Sequence, residues 1–310
     1  MRILILGDTH ISDRRPERRK DDDYFQTFIT KLSQVRDIYH KMNCEYLLQV
    51  GDFFDSYNVS KEVIAGIIEF LKNSNMNVAC IWGQHDISGH SGTTFRNSPL
   101  RILESAGVVK ILNDYRRLCY VGLCVTGQPF GQEILPSIKD EIGYDYKILV
   151  VHQMVGDQPL FPGHDIKQPK QFLKEHPEFN LILCGDYHYR FIVEDNGRFC
   201  INPGAMVRKT IGKRDLELEP AVIFFDTSDC SYEVVKLDVV PSEDIFDFSK
   251  EEIVNKKDTS VLDAFLENLN KQEGTKIGWK ELLQALMIKR KTNVEVKEVI
   301  EKSIEECSKI

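Results

Sequence analysis

The sequence predicts an α/β fold in which helices cover a sheet, and three observations carry that prediction. Short runs of aliphatic and β-branched residues recur along residues 1–190. Apolar stripes at helical spacing lie between the early ones. Each run stops abruptly at a polar, chemistry-bearing motif, as strands do when their carboxyl ends deliver groups to a ligand.

The runs are ILIL (3–6), YLLQV (46–50), VACIW (78–82), ILVV (148–151) and LILC (181–184), with the length and composition of fully buried strands. Phe25, Phe28, Ile29, Leu32, Val35, Ile38, Tyr39 and Met42 recur every three or four positions and predict a helix between the first two runs. Val63, Ile64, Ile67, Ile68 and Leu71 predict another. RFCIN (198–202), AVIFF (221–225) and YEVVKLDVV (232–240) follow with no helix between them, which predicts a second, more antiparallel sheet. An acidic, poorly patterned stretch after Pro241 reads as a linker over 242–257. Beyond it, stripes through Val261–Leu269, Ile277–Met287 and Val296–Ile304 predict three short helices, the last opened by a capping box from Thr292 to Glu295. The expected organisation is a main domain over 1–241, the linker, and a helical region over 258–310.

Bulk properties narrow the function classes. A chain of 310 residues with 42% hydrophobic and 28% charged residues has the make-up of a soluble globular protein with a full core. No apolar stretch approaches the roughly 20 residues that cross a bilayer, and MRILILGDTH lacks the build of a secretory leader. A cytoplasmic protein with no membrane partner is expected. The eight cysteines include no Cys-x-x-Cys pair, and Cys80, Cys184 and Cys200 sit in apolar runs, so they read as reduced core thiols. The net charge of −8 argues against simple coating of nucleic acid. Basic residues are nevertheless clustered in RRPERRK (14–20), VRKTIGKR (207–214) and IKRK (288–291). Taken alone, each such run is an ordinary solvated loop.

The strand ends carry the chemistry. ILIL runs into Gly7-Asp8-Thr9-His10, and YLLQV into Gly51-Asp52 with Asp55 three residues on. VACIW runs into Gly83-Gln84-His85-Asp86, ILVV into His152, and LILC into Gly185-Asp186-Tyr187-His188. An uncompensated carboxylate at the end of a buried strand is costly, so it faces solvent, a positive partner or a metal. Imidazole and carboxylate without thiolate suit Mn²⁺, Fe²⁺ or Zn²⁺. One carboxylate shared by two such ions gives a two-metal centre about 3.5–4 Å across, suited to activating water and clamping a phosphoryl group.

In that order these motifs resemble the calcineurin-like metallophosphoesterases, whose pattern is Asp-x-His, Gly-Asp-x-x-Asp, Gly-Asn-His-Asp, a lone His, and Gly-His-x-His. The resemblance covers roughly residues 1–240. It implies a two-sheet β-sandwich flanked by helices (αββα), here with a short helical C-terminal tail. It implies one metal on Asp8, His10, Asp52 and His188, and a second on Asp52, Gln84, His152 and Asp186. His85 would assist the leaving group or the transition state, and Asp86 would orient its ring. Two positions depart from the pattern: Gln84 stands where Asn is usual and Asp186 where His is usual. The second change swaps a neutral nitrogen for an anionic oxygen, which favours Mn²⁺ or Mg²⁺ over Zn²⁺.

Finer features are similar to the SbcD-type DNA repair nucleases, in particular their phage-like relatives. They are the Arg-rich stretch with DDDYF, the GQHDISGH segment and INPGAMVRK. That resemblance implies a Mn²⁺-dependent DNA exonuclease on duplex ends, with single-strand endonuclease activity. It implies a homodimer acting in recombination and repair with an SbcC-like ATPase of the SMC family, in a host cytoplasm if phage-encoded. Arg14, Arg15, Arg18, Arg19, Arg208 and Lys209 would contact the DNA backbone. WKELLQALMIKRK resembles the helices that bind the ATPase coiled coil. The tail after Pro241 leaves little room for the DNA-capping domain of larger relatives. The alternatives are a protein phosphatase or nucleotide phosphodiesterase on the same scaffold, and a non-catalytic scaffold whose second metal site is degraded. His164 in PGHD is a further histidine that could lie near the metal edge.

Overall fold

A computed structural model of the chain describes residues 1–113, 115–133, 143–160 and 166–249. Its first compact unit runs from Met1 to Phe248. The helices expected over 258–310, the rest of the linker and His164 lie outside the described residues. In chain order the unit begins with β1 (Arg2–Leu6), α1 (Tyr24–Lys41), β2 (Tyr46–Gln49), α2 (Lys61–Ser74), β3 (Val78–Cys80), α3 (Pro99–Ser105) and β4 (Lys110–Ile111). It continues with β5 (Leu118–Tyr120), β6 (Gly122–Gln128), β7 (Tyr144–His152), α4 (Pro169–Glu175), β8 (Leu181–Gly185), β9 (Phe191–Asp195) and β10 (Arg198–Asn202). It closes with α5 (Lys213–Leu216), β11 (Ala221–Asp226), β12 (Ser231–Lys236) and α6 (Ser242–Ile245).

Two six-stranded mixed sheets result, ordered β12-β11-β1-β2-β3-β4 and β5-β6-β7-β8-β10-β9. Strand alternation builds the layers. In β1, Ile3 and Ile5 enter a core between the sheets with Leu48, Ala79, Val125, Val150, Leu183, Ile201 and Phe225. Leu4 and Leu6 point the other way, against Phe28, Leu32 and Val35 of α1 and Val63 and Ile67 of α2. On the far side, Leu149, Val151, Ile182 and Cys184 pack against Phe172 and Leu173 of α4. Each fully buried aliphatic or aromatic side chain contributes about 1.5–3 kcal/mol, so these three cores hold the order helix, sheet, sheet, helix. Among the described residues no helix is long and apolar enough to cross a membrane.

Sheet membership differs from the expectation. The apolar runs that end in motifs divide between the sheets: β1 to β3 lie in one, β7 and β8 in the other. The late strands form no sheet of their own. β11 pairs antiparallel with β1 and carries β12, while β10 pairs parallel with β8. These pairings join residues far apart in sequence, and a strand's own residues show only that it is buried, not by whom. The expected linker also begins later. Phe246 is fully buried, Ile245 O accepts from Lys20 N, and Arg18 O accepts from Asp247 N, so residues 242–248 belong to the first unit.

Arg19 explains that attachment and corrects its own expected role. It is 5% exposed and clasps Asp21 through two bonds of 2.7 and 2.6 Å. Its third nitrogen donates to Arg208 O at 2.9 Å, and the guanidinium lies over the rings of Tyr24 and Phe246. Arg208 is likewise buried, bound to Ser242 Oγ and Val240 O. Neither is available to DNA: both are clamps that tie the loop after β1 to the chain's return. DDDYF has a local role too, since Asp21 holds Arg19 and Asp23 caps α1 by accepting from Gln26 N at 3.1 Å. Arg19→Ala should therefore lower unfolding free energy by about 3 kcal/mol, as loss of one partner of a buried pair does. Chemical denaturation measures it, and an Arg19→Ala protein of wild-type stability would contradict the clamp.

Candidate metal centre

The five motifs meet at one edge of the sandwich because backbone hydrogen bonds lace their loops together. Thr9 N and His10 N both donate to Asp52 O, and Thr9 Oγ1 donates to Phe53 O. Met206 N donates to Asp8 O and Ala205 N to His188 O. The segment INPGAM therefore serves as a brace between the first and last motifs. His10, Asp52 and Asp186 all have positive φ, of 48°, 48° and 75°. Such conformations cost a non-glycine residue about 1–3 kcal/mol and persist where surrounding structure over-determines them. Close approach explains two of the glycines. A Cβ at Gly83 would stand 2.1 Å from Asp52 Oδ1, and one at Gly185 would stand 2.5 Å from His152 Nδ1.

Asp52 is the hub. Its Oδ1 accepts from His85 N at 2.9 Å. Its Oδ2 lies 3.4 Å from His152 Nε2, 3.8 Å from His10 Nε2 and 3.9 Å from His85 Nε2. On one side His10 Nε2 and His188 Nε2 stand 3.0 Å apart, with Asp8 Oδ2 3.5 Å from His188. On the other side Gln84 Nε2 donates to Asp186 Oδ1 at 2.7 Å, and Asp186 N donates to Asp8 Oδ2 at 3.0 Å. All seven expected ligands thus surround one region. Among the described residues, His, Asp, Glu and Cys donor atoms converge most closely in two sets, Asp8–His10–His188 and His10–Asp52–His85. The first holds three of the four members of the expected first-metal set and leaves out Asp52. The second draws in His85, to which the family resemblance gives a catalytic role.

Charge and orphaned atoms test whether cations fit. Asp8 Oδ1, Asp52 Oδ2, Gln84 Oε1 and His152 Nε2 are buried without a hydrogen-bond partner. Three oxygens and a nitrogen left so would be costly unless something positive lies between them. Burial pushes the Asp8 carboxyl well above the usual carboxylate range, with His152 opposing and Asp52 and Asp186 adding to it. Burial also disfavours charge on Asp52, but His152 and then His10 and His85 outweigh it and hold that carboxyl far down. The His152 ring, although buried, is pushed up to about 10 by Asp52, Asp8 and Asp186. Three carboxylates around one ring favour a cation placed among them. His188 is pushed down to about 3 by burial, His10 and Lys209, which leaves the neutral ring that ligation requires. His152 Nδ1 lies 2.8 Å from Val50 O, so Nδ1 must donate and Nε2 is turned into the site. The donor set fits divalent cations.

Two roles change. Asp86 is fully buried, and its carboxylate accepts from Gly83 N, Phe53 N and Phe54 N at 2.9, 3.1 and 2.8 Å. It ties two loops together and does not touch the His85 ring. Burial, with Asp52 close by, pushes it up to about 7 against those donors. The residue that orients His85 is Asp55, whose main-chain O meets His85 Nδ1 at 2.9 Å. Its carboxylate lies 3.3 Å from His10 Nδ1 and pairs with Lys209 Nζ. Asp55 was visible in the sequence as the second Asp of Gly-Asp-x-x-Asp but received no role there. Lys209 accordingly stands at the metal edge, and Arg14 and Arg15 are exposed on the loop beyond His10, where Arg15 Nη1 donates to Asp21 O. Arg18 is half-buried. Asp55→Ala should weaken divalent-metal affinity about 10–100-fold, the usual cost of losing a partner behind a ligand. Metal titration by calorimetry reads this, and unchanged affinity would leave Asp55 without the role.

Comparison with known proteins agrees with this geometry. The family model of calcineurin-like phosphoesterases matches residues 1–190. The chain belongs to that family. Its members use divalent metals to hydrolyse phosphoesters, and this chain carries candidate ligands for them. Among solved structures it resembles an archaeal phosphodiesterase at 18% identity, over 76% of this chain and 100% of that one, with a TM-score of 0.41. It also resembles a dimetal phosphatase from Danio rerio at 11% identity, over 76% and 96%, with a TM-score of 0.49. A 5'-nucleotidase precursor from Thermus thermophilus matches at 13% identity, over 84% and 59%, with a TM-score of 0.44. No curated protein matches the sequence.

Proposed function

We propose that this metallophosphoesterase is a DNA phosphodiesterase of the SbcD type, cutting duplex ends as an exonuclease and single strands as an endonuclease. The observation that carries the reading is the open edge of the site. The His85 side chain is 41% exposed, and the loop leaving His10 runs directly into the exposed Arg14 and Arg15. Backbone phosphates beside a cleaved bond call for such cations without base contacts.

Asp8, His10, Asp52 and His188 would hold one cation, and Asp52, Gln84, His152 and Asp186 the other. Two divalent ions there supply charge neutralisation at the phosphoryl oxygens and a lowered pKa for water. Asp186, with an oxygen donor where the family has imidazole, favours Mn²⁺, with Mg²⁺ as the alternative. His85 donates from Nδ1 to Asp55 O, which leaves Nε2, 3.9 Å from Asp52 Oδ2, on the side of the cluster to carry a proton to the leaving oxygen. A homodimer and an SbcC-like ATPase bound through 258–310 complete the proposal.

The test is Mn²⁺-dependent degradation of end-labelled linear duplex, alone and with an SMC-type ATPase, beside turnover of a cyclic nucleotide and a phosphopeptide. Degradation of the duplex well above the other two is the expected result. Turnover confined to a small substrate would replace this reading with the nucleotide phosphodiesterase or phosphatase. One bound ion or none, without any turnover, would leave a scaffold.

A further inference from the structure

Beside the metal cluster, on the side of His152 and Asp186, lies a cavity of ≈ 560 Å³. Pockets for ligands of nucleoside to drug size span about 300–1,000 Å³, so there is room for one nucleoside. Phe130, Met154 and Phe172 supply apolar wall, and Gln128 supplies the buried polar group. Gln128 is the last residue of β6 and pairs in register with Val151, one residue before His152. Its place beside the metal ligands is therefore fixed by the sheet.

Gln128 is 8% exposed, its Nε2 is bound to Gln132 O, and its Oε1 has no hydrogen-bond partner among the described residues. The oxygen is closed to water as the side chain stands, and an unmatched amide oxygen on a side chain that lines a cavity gains by turning to accept from a ligand N–H. Phe130 is fastened at the main chain, its N donating to Trp82 O at 3.0 Å on the segment that leads to Gln84 and His85. An aromatic face and an unmatched amide acceptor, both one step from a phosphoester-cleaving centre, are the two features that hold a nucleobase.

We propose that this cavity is a nucleobase subsite that takes the base adjoining the scissile phosphate, accepts from its exocyclic amine at Gln128 Oε1 and packs its ring on Phe130. The inference rests on the phosphodiesterase reading above and adds a substrate feature to it, a preference for an amino-bearing base at the cut. A site built around one hydrogen bond discriminates against the analogue lacking the donor, because its own acceptor is then left unmatched.

Binding to the full-length, Mn²⁺-loaded protein tests this without turnover. The probes are deoxyadenosine and purine deoxyriboside, which differ only by the amine, titrated by NMR against wild type, Gln128→Leu and Phe130→Ala. Wild type should favour deoxyadenosine by about tenfold, one hydrogen bond's worth. Gln128→Leu should erase that preference, while Phe130→Ala should weaken both probes and keep it. Equal preference in wild type and Gln128→Leu, or no binding of either nucleoside by wild type, overturns the subsite. Failure of the nuclease reading looks different: nucleosides bind with the predicted preference, yet no phosphodiester is cut.

Discussion

Asp52→Ala is expected to lower turnover of every phosphoester substrate by about 10³-fold or more, since metal stabilisation of the transition state is worth several kcal/mol and each 1.36 kcal/mol is a factor of ten. The reason is position. Asp52 Oδ2 faces His152 on one side and His10 and His85 on the other, at 3.4, 3.8 and 3.9 Å. Without it the two proposed metal sites lose the ligand they would share. Metal content by mass spectrometry should fall from two ions per chain to one or none. Wild type should gain about 2.7 kcal/mol of stability with metal at 100 times its Kd, and the variant should not. Asp52→Asn separates fold from chemistry, because its amide oxygen still accepts from His85 N. It should keep the wild type's metal-independent stability more closely than alanine and still lose the ions. An Asp52→Ala protein with two ions and near-normal turnover would remove Asp52 from the centre.

Much of this site was legible in the sequence for a definite physical reason. A buried strand that ends at Gly-Asp or Gly-x-His announces its own exit point, and all such ends must lie at one edge if the strands are parallel. Hence Asp8, His10, Asp52, Gln84, His152, Asp186 and His188 could be grouped from the sequence, and the fold brings them to one edge although their strands divide between two sheets. Two of the basic residues, Arg19 and Arg208, failed for the opposite reason. Nearness in sequence to a ligand fixes where a backbone goes and not where a long side chain points. Arg19 turns inward to Arg208 and Phe246, partners that no local pattern reveals. Asp86 misled because its neighbour in sequence, His85, is not its neighbour in space: its donors belong to Gly83, Phe53 and Phe54. Phe246, in a stretch that reads as linker, is fully buried because the Arg19 clamp lies over it.

His85→Ala is expected to lower kcat by about 10²–10⁴-fold, the range for a positioned general acid, while leaving both ions bound. Two geometric facts set up the test. His85 is the most exposed of the clustered histidines, ahead of His188, as suits a group that meets substrate. It also belongs to a convergent donor set with His10 and Asp52, so the geometry alone would permit it to ligate. Metal stoichiometry separates these roles: two ions in His85→Ala mean a catalytic residue, one ion means a ligand. Leaving-group dependence gives an independent reading. An acid matters most when the departing oxygen is strongly basic, so the variant's loss should be large on a nucleoside alkoxide and much smaller on p-nitrophenolate, which leaves without a proton. An equal loss on both would deny His85 the proton and leave it to charge stabilisation at the phosphoryl oxygens. Asp55 supplies the matching control, because Asp55→Ala keeps the carbonyl that fixes the His85 ring and removes only the carboxylate facing His10 and Lys209. Its effect should therefore appear in metal affinity, and the leaving-group dependence of the wild type should survive in it at saturating metal.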